Sequence, residues 1–259
     1  MKLRLIDAGA PASLSGALPG AMNMGIDEAL LGSVSRGESP PSLRLYAWSP
    51  PCVTVGYFQS LEDEVDLEAC RAAGIDAVRR LTGGGAVFHD AEITYSLVVP
   101  LGHELAPDDI LESYRGICAG LVAALAHLGV AASFEPINDI AAGGRKLSGN
   151  AQTRRSGCLL QHGTVLLDLD PERMFSLLKV PAEKQKGRLI EDVKARVTSL
   201  KSILGREVGY AEAALALRRG FAEAWGAVLE EGELSSAEMA DAGRLAAERF
   251  SRPEWNGRR

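Results

Sequence analysis

The spacing of apolar residues changes several times along the chain, and each change marks an element. Leu3 to Ile6 is a short apolar run that predicts a first strand, and residues 9–21 form a loop of small residues. Over 22–35, Met24, Ala29, Leu30 and Val34 fall among helical positions. Residues 43–48 alternate as a strand that Ser49-Pro50-Pro51 ends, and 52–55 predict another. A helix is predicted over 65–73 with Gly74 as its stop. Strands over 75–78 and 86–88 flank three consecutive glycines, and 93–99 is rich in β-formers. Pro107-Asp108-Asp109 opens a helix running to about 128 and closed by Gly129. Short strands follow over 131–134, 139–142, 146–151 and 158–167, then a helix from Asp170-Pro171 to 178. Residues 181–195 are charged and read as a mobile connection; 211–229 and 235–250 read as amphipathic helices.

Strands dominate residues 40–170, with a few long helices between them. The fold class is therefore α+β or mixed α/β, and not a βαβ solenoid. No repeat or composition break divides the chain. It is read as one domain over 1–259, with a helical C-terminal part from about 205.

Composition narrows the function. The 259 residues carry 28 Lys and Arg against 34 Asp and Glu, a formal charge of −6. That balance argues against a general nucleic-acid binder. The start, Met1-Lys2-Leu3-Arg4-Leu5-Ile6-Asp7, lacks the apolar run of a signal peptide, and no stretch is long enough for a membrane span. A cytoplasmic location with no membrane contact is expected. The cysteines at 52, 70, 118 and 158 form no CxxC pair, so a zinc or iron–sulfur site is not expected.

Two clusters carry candidate chemistry. The first is Arg79-Arg80-Leu81-Thr82-Gly83-Gly84-Gly85-Ala86-Val87-Phe88-His89-Asp90. Three glycines bare the backbone N–H groups to a ligand, and arginines at the edge suit phosphate or carboxylate. The second runs from Asn138-Asp139 through Gly143-Gly144, a hairpin signal, to Lys146-Leu147-Ser148-Gly149-Asn150-Ala151. A compact ammonium beside small residues suits an acyl carbonyl and a phosphate oxygen. Asn138-Asp139 suits either a metal–phosphate or a turn cap. Gln161-His162-Gly163-Thr164 follows on the next strand; His162 reads as a structural hydrogen-bonder, and His89 as a brace for the glycine loop.

Taken together, these segments resemble the lipoate–protein ligase A family of the biotin/lipoate A/B ligase superfamily. Further matches are Arg196-Val197-Thr198-Ser199-Leu200 and Glu254-Trp255-Asn256. The resemblance implies a central mixed sheet flanked by helices, related to class II synthetase cores. It implies that lipoate and ATP, with Mg2+ bridging the phosphates, give lipoyl-AMP, whose acyl group passes to a lysine of an apo lipoyl domain. It makes Lys146 the catalytic group. It assigns ATP and lipoyl-AMP contacts to Arg79, Arg80, Gly83, Gly84, Gly85, Ala86, Val87, His89, Asn138, Asp139, Gly149, Ala151, His162, Gly163 and Thr164, with Asp139 a candidate for Mg2+. The implied partners are lipoyl domains of 2-oxoacid dehydrogenase E2 proteins and the glycine-cleavage H protein.

The superfamily also holds octanoyl- and lipoyltransferases that work through a cysteine thioester. Such a cysteine precedes the lysine hairpin in one type and follows the helix near 179–187 in another; both segments lack one here. Cys158 matches neither pattern and reads as a packed thiol. The ligase is therefore the main expectation, with an acyltransferase or a non-catalytic binder of lipoate or adenylate as alternatives. The chain stops three residues past Asn256. The family's C-terminal accessory domain is then expected on a separate small subunit.

Overall fold

The structure is a computed structural model that describes residues 1–7, 17–179 and 183–258. Most of the expected small-residue loop lies outside the described residues. The chain runs β1 (Lys2–Asp7), β2 (Ala17–Leu18), α1 (Gly20–Ser35), β3 (Ser42–Trp48), β4 (Cys52–Val55), α2 (Leu61–Glu64), α3 (Leu67–Ala72), β5 (Asp76–Arg79), β6 (Val87–His89) and β7 (Glu92–Pro100). It continues through α4 (Ile110–His127), β8 (Ala132–Glu135), β9 (Asp139–Ala142), β10 (Arg145–Arg155), β11 (Cys158–Leu166), α5 (Pro171–Leu177) and α6 (Glu183–Arg196). Last come α7 (Leu200–Leu204), α8 (Tyr210–Trp225), β12 (Val228–Glu231), α9 (Ser236–Leu245), a π turn over Ala246–Phe250, and α10 (Pro253–Asn256).

A large mixed sheet has the order β12-β1-β3-β7-β11-β10-β9-β8, with β2 beside β3; a second sheet has the order β5-β4-β6. The central strands are buried on both faces, so they read as nearly continuous apolar runs. Leu43, Leu45, Tyr95 and Leu97 point to the face covered by α4 and α8. Tyr46, Trp48, Val98 and Leu160 point to the face covered by α1 and α9. The fold is mixed α/β, a broad mixed sheet between helices, as the sequence pattern predicts.

The structure revises several predicted elements. The segment read as a charged connection over 181–195 is largely α6, whose Leu189 and Val193, four residues apart, line a groove beside the β9–β10 hairpin. The helix expected over 65–73 is shorter, α3 over Leu67–Ala72: Val65 is extended, and the Asp66 side chain starts the helix by accepting from the N–H groups of Glu68 and Ala69. The helix expected to reach 229 stops at Gly226, whose φ of 56° is left-handed, and Val228 then pairs with Lys2. Residues beyond 205 close both faces of the main sheet, α8 against α4 and α9 against α1.

A buried clasp ties α9 to the first strand. Arg4 donates to both carboxylate oxygens of Glu238 at 3.0 and 2.6 Å, and the Ser39 hydroxyl and Ser235 N–H each add a bond of 2.7 Å. Burial alone works to raise the Glu238 pKa, but these donors outweigh it and hold the group at about 2. A carboxyl with a lowered folded pKa stabilises the fold above its ordinary value and loses that contribution as the pH falls. The urea midpoint is therefore expected to decline as the pH drops from 4.5 toward about 2, and Glu238→Gln should flatten that decline. Equal slopes in the two proteins would contradict this account.

Candidate active site

Strand register sets out the site. Ala151, His162, Ser96 and Arg44 lie side by side across β10, β11, β7 and β3, and Gly149, Thr164, Thr94 and Tyr46 form the next row. Asp27 of α1 reaches the first row. It accepts from Arg44 at 3.2 Å, from Ser96 at 2.9 Å and from His162 at 3.1 Å. Beside these rows is a cavity of about 290 Å³, part of whose wall is the glycine loop between β5 and β6. Arg80, Gly84, Gly85, Ala86, Val87, His89, Asn138, Lys146, Gly149, Ala151, His162, Gly163 and Thr164 all line it. Met24, Leu166, Leu169, Met174 and Val193 supply apolar wall. The two clusters separated in sequence thus share one cavity.

Three predicted residues stand elsewhere. Gly83 contributes a carbonyl to Arg80 and does not line the cavity. Asp139 lines a neighbouring groove of about 510 Å³, whose wall also includes Lys146, and its carboxylate lies 2.6 Å from the lysine ammonium. The largest departure is Arg79. It is fully buried, and its guanidinium donates to the carbonyls of Gly56, Tyr57, Gln59, Trp255 and Asn256. Its donors are taken up in joining the 56–59 loop to the C-terminal segment, and of the two arginines only Arg80 lines the cavity.

Arg80 is 5% exposed and has no carboxylate at ion-pair distance among the described residues. Burial brings its pKa down to about 10, so it remains a cation at neutral pH. A buried cation on a cavity wall without a counter-ion favours an anionic ligand.

Glycine positions make room for the working groups. A Cβ on Gly56 would lie 2.0 Å from the Gly84 carbonyl oxygen, so the loop packs on bare backbone; Gly84 itself has a φ of 101°. A Cβ on Gly149 would lie 2.9 Å from Cε and 3.0 Å from Nζ of Lys146. Gly149→Ala is expected to displace the ammonium and to slow turnover by about tenfold or more, with little change in melting temperature. Unchanged turnover would show that the lysine position tolerates movement.

Neither cavity imidazole has a free nitrogen. His162 shares Nδ1 with Asp27, and its Nε2 lies 2.7 Å from the Thr82 hydroxyl; His89 shares Nδ1 with Glu92 and Nε2 with Thr54. Burial lowers the His162 pKa and keeps the ring neutral, with Asp27 only partly opposing. Asn138 and Asn150 brace one another: the Asn138 amide donates to the Asn150 carbonyl, and Asn150 donates back at 2.9 Å. Sequence reasoning did not find Asp27, Thr54, Thr82 or Glu92. Asp27 had a signal, a carboxylate among Met24, Ile26, Leu30 and Leu31 on a buried helix, and Thr82 lies within the first cluster; Thr54 and Glu92 had none.

All four cysteines are buried, and none lines the cavity. Burial pushes Cys118 up to about 12 and Cys70 up to about 11, far from thiolate at neutral pH. Among the described residues, no group of three or more His, Cys, Asp or Glu could hold a metal ion. With its carboxylate paired to Lys146, Asp139 does not fit a protein-held Mg2+. No helix among the described residues is long and apolar enough to cross a membrane.

The family model for the lipoyl protein ligase A/B catalytic domain matches residues 19–222. The octanoyltransferase LipM of Symbiobacterium thermophilum is 42% identical over 267 residues, covering 95% of this chain and 97% of the relative. The solved bipartite lipoate protein ligase of Thermoplasma acidophilum, studied with its E2 lipoyl domain, superposes with a TM-score of 0.84 at 31% identity, covering 99% of this chain and 96% of the other. A lipoate–protein ligase A bound with ATP superposes with a TM-score of 0.80 at 30% identity, covering 99% and 98%. A family-model match over residues 19–222, together with a relative 42% identical along nearly the whole length, places the chain: it belongs to the lipoyl protein ligase A/B catalytic domain family.

Proposed function

We propose that this protein is an acyltransferase that moves an octanoyl or related medium-chain acyl group from a thioester donor onto a lysine of a lipoyl domain. The observation that carries this reading is the shared cavity, in which the Lys146 ammonium, the glycine backbone and an apolar wall surround a space for an acyl chain and its carbonyl. The kinship with octanoyltransferases along nearly the whole chain supports it. Lys146 and backbone N–H groups stabilise the oxyanion that forms at the carbonyl. With every cysteine buried, the acceptor amine attacks the donor carbonyl directly. The C–N bond forms, the C–S bond breaks, and the amine proton leaves with the departing thiol. Lipoyl domains of 2-oxoacid dehydrogenases and of the glycine-cleavage system are the proposed acceptors.

A second reading, an ATP-dependent lipoate ligase, is favoured by the absence of a cavity thiol and by the Arg80 charge on the cavity wall, which no carboxylate at ion-pair distance among the described residues balances and which suits an adenylate phosphate. ATP would then be a substrate, with Mg2+ carried on its phosphates and a separate small subunit assisting adenylation. One assay separates the readings. Protein and an apo lipoyl domain are incubated either with an octanoyl carrier protein and no ATP, or with lipoate and ATP-Mg2+, and intact acceptor mass is read. Product from the carrier alone supports the transferase, and product only with ATP supports the ligase. Binding of lipoate without product in either arm would leave the chain a binder. Under the direct-attack mechanism, no octanoyl adduct forms on the enzyme itself.

A further inference from the structure

The geometry points to Glu92 and Thr54 as positioning residues that act through His89 and Arg80 to fix the glycine loop. Neither belongs to a motif that the sequence singles out. The bonds form an unbroken chain: Glu92 Oε1 lies 2.7 Å from His89 Nδ1, and His89 Nε2 lies 2.7 Å from Thr54 Oγ1. Arg80 Nη1 lies 2.6 Å from the same Oγ1, and Arg80 Nη2 lies 3.0 Å from the carbonyls of both Gly83 and Gly85.

A guanidinium only donates, so Thr54 Oγ1 accepts from Arg80. A carboxylate only accepts, so Glu92 takes a proton held on His89 Nδ1. In the neutral ring this leaves Nε2 to accept the Thr54 hydrogen. Thr94 donates to the same Oε1 at 2.7 Å and accepts from Trp48 at 2.8 Å, while the Trp48 ring stacks on His89 at 4.0 Å. Glu92 is 3% exposed, so the chain begins on a buried carboxyl group.

The loop needs such an anchor. Added Cβ atoms on Gly83 and Gly85 would meet nothing within 4 Å, so packing does not hold them. Three glycines in succession also lose much conformational entropy on ordering. A trans peptide is planar, so turning the Gly83 and Gly85 carbonyls to Arg80 turns the N–H groups of Gly84 and Ala86 the opposite way. Both of those residues line the cavity. Thr54 sets the plane of the guanidinium, His89 sets Thr54, and Glu92 sets the tautomer of His89. The consequence for turnover rests on the proposed acyl transfer; the geometric claim does not.

The test compares the wild type with Thr54→Val, Thr54→Ser and Glu92→Leu. Imidazole 15N spectra are tractable because the chain has four histidines. His89 is expected to carry its proton on Nδ1 in the wild type and to shift toward Nε2 in Glu92→Leu, which removes the acceptor that Nδ1–H needs. Amide resonances of residues 83–86 should move in Thr54→Val and return in Thr54→Ser. The kcat for acyl transfer should fall on the order of ten- to a hundredfold in Thr54→Val, with the KM for the lipoyl domain unchanged, and recover in Thr54→Ser. A Thr54→Val protein with a lower melting temperature but native glycine resonances and native kcat would overturn the inference, as would a wild-type His89 protonated on Nε2. If the wild type transfers no acyl group from any donor, the functional reading fails while the spectra still decide the relay.

Discussion

Replacing Lys146 with alanine is expected to lower acyl transfer by about 10²–10³-fold, the usual cost of losing one donor to a developing oxyanion, while leaving the fold intact. Lys146 reaches the cavity from β10, immediately after the Gly143-Gly144 hairpin, and its ammonium is the cation that the lysine hairpin contributes there. Its stability contribution is small. The side chain is 43% exposed, and its bond to the 34% exposed Asp139 is of the half-solvated kind, worth about 0–1 kcal/mol. Activity and stability should therefore separate: product by intact mass collapses, and the urea midpoint barely moves. Lys146→Arg is not expected to rescue, because the wider guanidinium cannot occupy space that already excludes a Cβ at Gly149. Turnover within a few-fold of the wild type in Lys146→Ala would remove the lysine from the mechanism.

The second large effect is on stability. Asp27→Ala leaves Arg44 as a fully buried cation without its carboxylate, a change that typically costs about 3–5 kcal/mol. The Ser96 and His162 bonds to the same carboxylate are lost with it. A domain of this size has on the order of 5–15 kcal/mol in all, so the variant should unfold at a much lower urea concentration with an unchanged slope. Burial works to raise the Asp27 pKa, but His162 and Arg44 lower it, so the wild-type group is a carboxylate throughout the neutral range. Asp27→Asn should cost less, because its amide oxygen still accepts from Arg44. A loss below about 1 kcal/mol in Asp27→Ala would mean that solvent reaches Arg44 when the carboxylate is removed.

The legible parts of the site are those whose chemistry is local in sequence. Gly83 to Val87 and Gly143 to Ala151 each announce a backbone requirement within a dozen residues. The relay residues Thr54 and Glu92 do not, because they reach Arg80 and His89 only once β4 has paired with β5 and β6 and β7 has followed β6. Arg79 and Arg80 show the limit most clearly. They are adjacent and identical in type, yet the alternation of β5 sends one toward loop carbonyls and the other to the cavity. Helix α6 was obscured by its charge. Its apolar stripe, Leu189 and Val193, is thin enough to pass for a polar connection until the β9–β10 hairpin supplies the surface it covers. The end of α8 was legible in principle, since Gly226 is a standard stop; the apolar residues after it belong to a strand.

Strands β5 and β6 never touch; each pairs with an opposite edge of β4. The segment from Arg80 to Ala86 must therefore cross two strand spacings, about 10 Å, a gap that seven residues, reaching roughly 23 Å when extended, close with slack. The slack lets the chain fold back, so that the Gly83 and Gly85 carbonyls meet Arg80. A side chain added at 83 or 85 would meet open space. The course of this loop is thus set by what holds its carbonyls and not by the distance it crosses.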